Sequence, residues 1–483
     1  MYSELCKYQV CIRSIPSNIC EALTAGGFVL IIKGKAGSGK STFSLELTRV
    51  LPSGSVILVT TRESPSQIIT NHPWLLNFLP KNNIMDGRAA RVLTKETYPK
   101  IATNDIFNFL KNLYNKIETL EAKPVTVIID SIDALKTAMG IKWDDFSIEK
   151  SLFDITKTSN INLVLVVERF DVIQLDYLAD GVVELEHIIK DGRTLRLMKI
   201  KKIRGKIIPK PEYVYTLKEG RFQFFSCIDN PTKLDIEKQQ IVEETPHVSS
   251  GVSRLDKILG GGYKLGSFNV IEVEENVNDS LLISFLSPMI KRATKTNTLV
   301  YMIPPAGLPP SKIIEQLSEY KELKEAIETH LKFLIPKVSQ HVSENNLESV
   351  YKLEKSTLAE VFEESENVIA DLLKEIGTAK HIGIVGADIL EYKYGYEELK
   401  DLLGIWVSTV KALNRVEIVF VKSLQRIAKD IFSMSSTHFI LESYNGTILF
   451  YGVKPWTMYY AITTTEVEKD GEKEFIVKLE PIV

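Results

Sequence analysis

Phe28-Val29-Leu30-Ile31-Ile32-Lys33-Gly34-Lys35-Ala36-Gly37-Ser38-Gly39-Lys40-Ser41-Thr42 joins an apolar run to a glycine-rich turn and then to the start of a helical pattern. Phe28 to Ile32 reads as a short buried strand. Helical spacing over Thr42 to Leu51 leaves Phe43, Leu45, Leu47 and Val50 for packing. Between the two, Gly34 to Ser41 satisfies G-x-x-x-x-G-K-[ST] in the strand–turn–helix setting that gives this motif its meaning. The glycines let the backbone turn tightly, so that successive N–H groups form an anion-binding nest. A helix starting near Lys40 aims the positive end of its dipole at the same place. Gly34, Lys35, Ala36, Gly37, Ser38, Gly39, Lys40, Ser41 and Thr42 are therefore the expected cradle for the phosphates of ATP. Lys40 is a mobile charge for the β- and γ-phosphates, and the Ser41 hydroxyl is a ligand for Mg²⁺.

Working outward, Val56 to Val59 is the next strand expected, and Val125 to Ile129, rich in β-branched residues, is a central one. Asp130 ends that strand and is the second expected Mg²⁺ ligand, opposite Ser41. Asp133 either assists or caps the turn. Asn162 to Val167 is a further strand. From about Gly181 to Phe225 the pattern becomes strands joined by turns, with Asp191-Gly192 a hairpin signal. The class expected is α/β, with a mostly parallel sheet covered on both faces.

The 483 residues exceed one ordinary core, and 44% hydrophobic with 25% charged content is that of a folded globular protein. The boundaries expected are a nucleotide-binding domain over 1–228, a polar linker over 229–250 and a second domain over 251–483. The second half starts again with Gly251 to Asp256 and Gly260-Gly261-Gly262. Strands are expected at 267–273, 381–385, 416–421, near 438–452 and at 475–480, with helical stretches near 311–332 and 354–376. This restart suggests a tandem duplication.

A net charge of −3 gives no global pull towards nucleic acid or anionic membrane. Cys6, Cys11, Cys20 and Cys227 form no C-x-x-C pair, a usage that fits a reducing cytoplasm. No apolar run approaches the roughly 20 residues that span a bilayer, and the opening residues lack a signal-peptide pattern. The expectation is a cytoplasmic protein without membrane insertion. The seven histidines have no metal-ligand spacing.

The segment from Phe28 to about Phe225 resembles the KaiC-like branch of the RecA ATPases. The resemblance rests on Val59-Thr60-Thr61-Arg62-Glu63-Ser64-Pro65, Val167-Glu168-Arg169, Leu178 to Leu185 and Lys202-Ile203-Arg204-Gly205. Leu30 to Gly37, with the unusual second half, is similar to archaeal gas-vesicle regulators of the GvpD type. It implies tandem RecA-like domains, homo-oligomeric rings with ATP shared between subunits, and Lys202 and Arg204 reaching a neighbour's γ-phosphate. Their spacing on a strand puts both on one face. The plainer alternative is a solvated basic strand or a nucleic-acid patch, which the scarcity of interleaved aromatics disfavours. The branch has two adjacent glutamates after the second strand, and here those positions read Arg62-Glu63. Glu63 is then the candidate base for activating water; alternatively, Arg62 pairs with it and slows the site.

In the second half, Gly266 to Ile271 leads into Val273-Glu274-Glu275-Asn276-Val277-Asn278-Asp279-Ser280, where a phosphate loop would stand. The glycines are gone, Asp279 holds the lysine position, and the acids would repel a triphosphate. Gly386 falls about where Asp130 does. The second domain is expected to be a degenerate copy with a structural role. The functional expectation is a Mg²⁺-dependent ATP-binding protein, a slow ATPase whose nucleotide state controls assembly or a regulatory protein partner. The alternatives are a DNA-binding accessory ATPase akin to recombinase paralogues and a non-hydrolysing nucleotide switch.

Overall fold

A computed structural model describes residues 14–88, 106–169, 173–225, 247–318, 320–336, 348–469 and 472–483. The expected linker lies outside them as far as residue 246, as do Cys6, Cys11 and Cys227; Cys20 is buried, and its thiol donates to the Ile15 carbonyl at 3.9 Å. The described residues divide into two compact units. The first takes residues up to 225 together with Pro481–Val483, and the second takes residues 247 to Glu480.

In the first unit, nine strands form one sheet: β1 Val29–Gly34, β2 Val56–Thr60, β3 Ile84–Asp86, β4 Thr126–Asp130, β5 Asn162–Val167, β6 Gly181–Lys190, β7 Arg193–Ile203, β8 Glu212–Thr216 and β9 Gln223–Phe225. Their order is β3-β2-β4-β5-β1-β6-β7-β8-β9. The strands from β3 to β6 pair in parallel, and β7 to β9 extend the sheet antiparallel. Continuous apolar runs suit strands buried on both faces. Leu30, Ile32, Leu58, Ile128 and Val164 enter one core, and Val29, Ile31, Ile57, Val127 and Leu163 enter the other. Asp191 and Gly192 both adopt positive φ (51° and 72°), the geometry of a two-residue hairpin turn. The helix after the glycine loop spans Lys40–Val50 and starts earlier than its apolar spacing suggested, because Gly39 at φ 82° breaks the chain immediately before Lys40.

The second unit builds a ten-stranded sheet from β10 Ser267–Val273, β11 Leu299–Ile303, β12 Leu331–Pro336, β13 Val350–Leu353, β14 His381–Gly386, β15 Val416–Lys422, β16 Thr437–Tyr444, β17 Thr447–Lys454, β18 Tyr460–Lys469 and β19 Glu472–Pro481. The order β13-β12-β11-β14-β15-β10-β16-β17-β18-β19 repeats that of the first unit with β13 added at one edge. Both units are α/β, and the tandem RecA-like architecture expected from the sequence is present.

Local expectations differ in three places. The helical stretch expected near 311–332 is two helices, Pro310–Ser318 and Lys321–Thr329. The helical pattern stops there because Leu331 and Phe333 face one core and Leu334 the other, a strand's alternation. The stretch near 354–376 becomes a helix only at Leu358, where Thr357 and Glu360 form a reciprocal capping box. The strand near 438–452 is a hairpin folded at Asn445-Gly446.

Polar groups lie deep in the second unit. Arg415 and Glu417, each 1% exposed, approach to 3.2 Å between Nε and Oε2, and Arg415 Nη1 also meets Glu366 at 2.7 Å. Tyr301 Oη and Trp406 Nε1 donate to the two Glu417 oxygens at 2.6 and 3.3 Å. Glu417→Ala would leave a buried guanidinium short of its partner, an imbalance that costs about 3–5 kcal/mol. Urea denaturation should show this loss for Glu417→Ala and a smaller one for Glu417→Gln, which keeps the hydrogen bonds to Tyr301 and Trp406 within reach.

Candidate functional site

Because β2, β4, β5 and β1 are parallel neighbours, their carboxyl ends meet at one edge of the sheet. Thr60 lies opposite Asp130, Asp130 opposite Val166, and Val167 opposite Lys33. The glycine loop leaves β1 there, Thr61 to Glu63 leave β2, Ser131 follows β4 and Glu168 follows β5. In open α/β sheets this edge is where ligands bind.

The glycine loop is fixed from several sides. A Cβ on Gly34 would lie 2.1 Å from the Leu185 carbonyl oxygen and 2.7 Å from Ser38 Oγ, so the position admits only glycine. Lys40 Nζ donates to the carbonyls of Gly34 (2.8 Å) and Lys35 (3.0 Å). Arg196 Nη1 donates to that of Gly37 (2.9 Å), and Tyr215 Oη to that of Ser38 (2.5 Å). Burial pushes the Tyr215 phenol up to about 12, so it stays a proton donor. Behind it, Tyr215 stacks on Phe222, and Phe222 meets Phe43 of the helix that the loop opens. That helix has no side-chain N-cap, so a bound anion can satisfy its first N–H groups. The sequence did not single out Arg196 or Tyr215 as loop supports. Neither belongs to a local motif, and only the antiparallel extension of the sheet brings them under the loop.

The Ser41 side chain lies close enough to Asp130 to favour its carboxylate, which brings together the two side chains expected to hold Mg²⁺. Burial pushes the Asp130 carboxyl up to about 6, with Glu63 and Glu168 adding to the rise while Ser41 and Lys40 oppose it. Burial also lowers the Lys40 ammonium, against the pull of Glu168 and Asp130. Glu63 is exposed and accepts a long hydrogen bond from Asn71 Nδ2 (3.4 Å). Arg62 forms its ion pair with Glu168, at 2.9 Å, rather than with Glu63. Glu168 joins the site without having been a candidate from the sequence; its signal was an acidic residue directly after a central parallel strand.

Lys202 and Arg204 converge, but on their own chain. Lys202 Nζ donates to the carbonyls of Asp176 (2.9 Å), Tyr177 (3.3 Å) and Ala179 (2.7 Å), and Arg204 Nη1 meets Asp180 at 2.8 Å. In the sheet, Val182 pairs with both Lys202 and Ile31, whereas Leu185 pairs with Gly34. Lys202 is therefore displaced from the glycine loop toward the other end of β6.

In the second unit, Val273 ends the strand corresponding to β1, and the helix Asp279–Lys295 follows. Between them the Asn276 side chain bonds both ways to Ser443, donating at 2.8 Å and accepting at 3.1 Å, which ties the segment to β16. Gly386 ends the strand corresponding to β4, so no carboxylate stands in the place of Asp130. Among the described residues no helix is long and apolar enough to cross a membrane.

Strand order, loop and Ser41–Asp130 pair together define a RecA/KaiC-like P-loop domain, a nucleotide-binding class. Residues 23–201 match the family described as GvpD gas vesicle protein, P-loop domain. The chain is 23% identical over 329 residues to Protein GvpD2 of Halobacterium salinarum, covering 63% of each chain. It is 26% identical over 297 residues to Protein GvpD1 of the same organism, covering 58% of this chain and 54% of the relative. Against the circadian clock oscillator protein KaiC of Parathermosynechococcus lividus it is 26% identical over 272 residues, 50% of this chain and 46% of the relative. The matches thus span less than two thirds of each of these relatives.

The raised Asp130 carboxyl has a measurable consequence. In unfolded chain it ionises near 3.9, so at pH 7.5 the fold carries a carboxylate it disfavours, and near pH 4 it carries a neutral acid. Each tenfold change in that ionisation equilibrium is worth about 1.4 kcal/mol, so Asp130→Asn should stabilise the protein in EDTA by about 1–3 kcal/mol at pH 7.5. The difference should fade as pH drops towards 4, as read from denaturation midpoints across that range.

Proposed function

We propose that the first unit binds Mg-ATP and hydrolyses it slowly, and that the nucleotide state controls self-association and a regulatory partner. The observation that carries this reading is a glycine loop whose carbonyls are held by Lys40, Arg196 and Tyr215, with the Ser41 and Asp130 side chains close together beside it. Gly34 to Gly39 cradle the phosphates, Lys40 neutralises them, and Ser41 and Asp130 hold Mg²⁺, which supplies charge neutralisation to the leaving phosphate. Glu63, exposed and clear of Arg62 in its ion pairing, orients the attacking water. Arg204, 60% exposed on its side chain and following directly on β7, reaches a neighbouring subunit's site, while Lys202 braces the adjoining segment from Asp176 to Ala179. The relatives named for gas vesicles and for the circadian clock support a regulatory use of ATP.

The basic strand gives little support to nucleic-acid binding. Lys199 pairs with Glu186, Lys201 with Glu184 and Lys206 with Glu21, so these charges are answered within the unit. Nor does the second unit support a second nucleotide site; its role in this reading is to present a surface for assembly.

Light scattering after size exclusion, with phosphate release assayed on the same fractions, tests the proposal. Wild type with Mg-ATP should move to a larger species that releases phosphate, and Lys40→Ala should do neither. Arg204→Ala should still bind nucleotide but lose about 10³-fold or more of the hydrolysis, the scale of a missing arginine finger. A wild type that stays monomeric and releases no phosphate would remove the shared-site ATPase reading.

A further inference from the structure

The Arg62–Glu168 pair crosses the site. Arg62 lies two residues beyond the end of β2, Glu168 one beyond the end of β5, and β4 runs between those strands. The ion pair therefore bridges over the end of β4, where Asp130 and Ser131 stand, and reaches the strand next to the glycine loop. Its two halves are held very differently. Ser131 Oγ donates to the same Glu168 oxygen that Arg62 meets, at 2.6 Å, and the Glu168 backbone N–H donates to Asp133 Oδ2 at 2.7 Å. Ser131 is in turn fixed to Thr61, whose Oγ1 accepts from the Ser131 N–H at 2.6 Å and donates to its carbonyl at 2.9 Å. Arg62 has a side chain 65% exposed, and the partner it meets is 30% exposed. Glu168 is thus the anchor and Arg62 the movable arm.

The charges nearby explain why an arm is needed. Glu63, Asp130, Asp133 and Glu168 crowd the edge, and Lys40 and Arg62 are the cations within electrostatic reach of one another there. A polyphosphate arriving beside Glu168 meets an anion unless that anion is covered, and it presents Arg62 with a stronger, more highly charged acceptor than a single carboxylate. The number of phosphates decides how far that competition extends from the glycine loop towards β2.

We propose that Arg62 and Glu168 form the site's sensor for triphosphate against diphosphate: the terminal phosphate draws Arg62 off Glu168, and a diphosphate leaves the pair closed. The residue standing where this class usually has a glutamate then reads the nucleotide state within its own subunit. This rests on the nucleotide-binding reading above and adds to it the regulation of the same site.

Calorimetric binding of Mg-ADP and of a non-hydrolysable Mg-ATP analogue tests it in wild type, Arg62→Ala, Glu168→Gln and Lys40→Ala. In Arg62→Ala the analogue should lose about tenfold in affinity, the yield of one charge-assisted hydrogen bond, with ADP unchanged. In Glu168→Gln, which frees Arg62 but keeps a partner for Ser131, the preference for the analogue over ADP should rise. A merely structural role for the pair would weaken both nucleotides together, and that result, or an unchanged ratio in Arg62→Ala, overturns the sensor while leaving the nucleotide site standing. If wild type binds neither nucleotide and Lys40→Ala behaves identically, the nucleotide reading falls and the sensor with it.

Discussion

A loop that turns its N–H groups toward an anion must turn carbonyls elsewhere, and each carbonyl then needs a donor. In this protein the donors come from three directions: Lys40 within the loop, Arg196 from β7 and Tyr215 from β8. Two of the three sit on strands that add nothing to the parallel half of the sheet. The antiparallel extension from β7 to β9 is thereby part of the glycine loop's support, because it supplies the polar floor on which the loop rests. The aromatic column of Tyr215, Phe222 and Phe43 couples that floor to the helix the loop opens. Leu217 closes the remaining gap so tightly that a side chain on Gly39 would meet it at 2.7 Å.

The same edge collects acids. Parallel pairing brings the ends of β2, β4 and β5 together, and each end contributes a carboxylate nearby: Glu63, Asp130 and Glu168. Without cations they would repel one another and any phosphate brought among them. Lys40 and Arg62 offset this, and burial raises the Asp130 carboxyl. In the second unit the corresponding edge has been dismantled. Asn276 is tied to β16, the strand matching β4 ends in glycine, and the buried charges of Arg415 and Glu417, with the half-buried Glu366, lie around β15 instead.

Much of the candidate site was legible because its signals are local. The spacing of Gly34, Gly39, Lys40 and Ser41 is a property of a short segment, and Asp130 closes a run of β-branched residues that can only be a buried strand. The degenerate loop at 273–280 was legible on the same ground, since loss of glycines and gain of acids need no neighbour to be read. What was not legible depended on partners far apart in sequence. Arg62 could pair with the adjacent Glu63 or with a residue more than a hundred positions away, and nothing near Arg62 distinguishes the two. Lys202 and Arg204 stand two apart in a strand pattern, which predicts that they converge but not that they converge on residues 176 to 180 of the same chain, with Arg204 just past the end of β7. The helix expected to continue to 332 ended where an apolar run changed its face, a change that only the two cores on either side of the sheet define.

By itself the sequence determined the α/β class, the tandem restart, the phosphate loop with Ser41 and Asp130, and the absence of a second such loop, because each follows from the backbone freedom, periodicity or charge of residues close together along the chain. Only the tertiary structure decided that Arg196 and Tyr215 support the loop, that Glu168 belongs to the site, and that Arg62 spans from β2 to β5 to meet it. Those facts depend on strand order and register, which set residues distant in sequence within hydrogen-bonding reach and which short-range pattern does not encode.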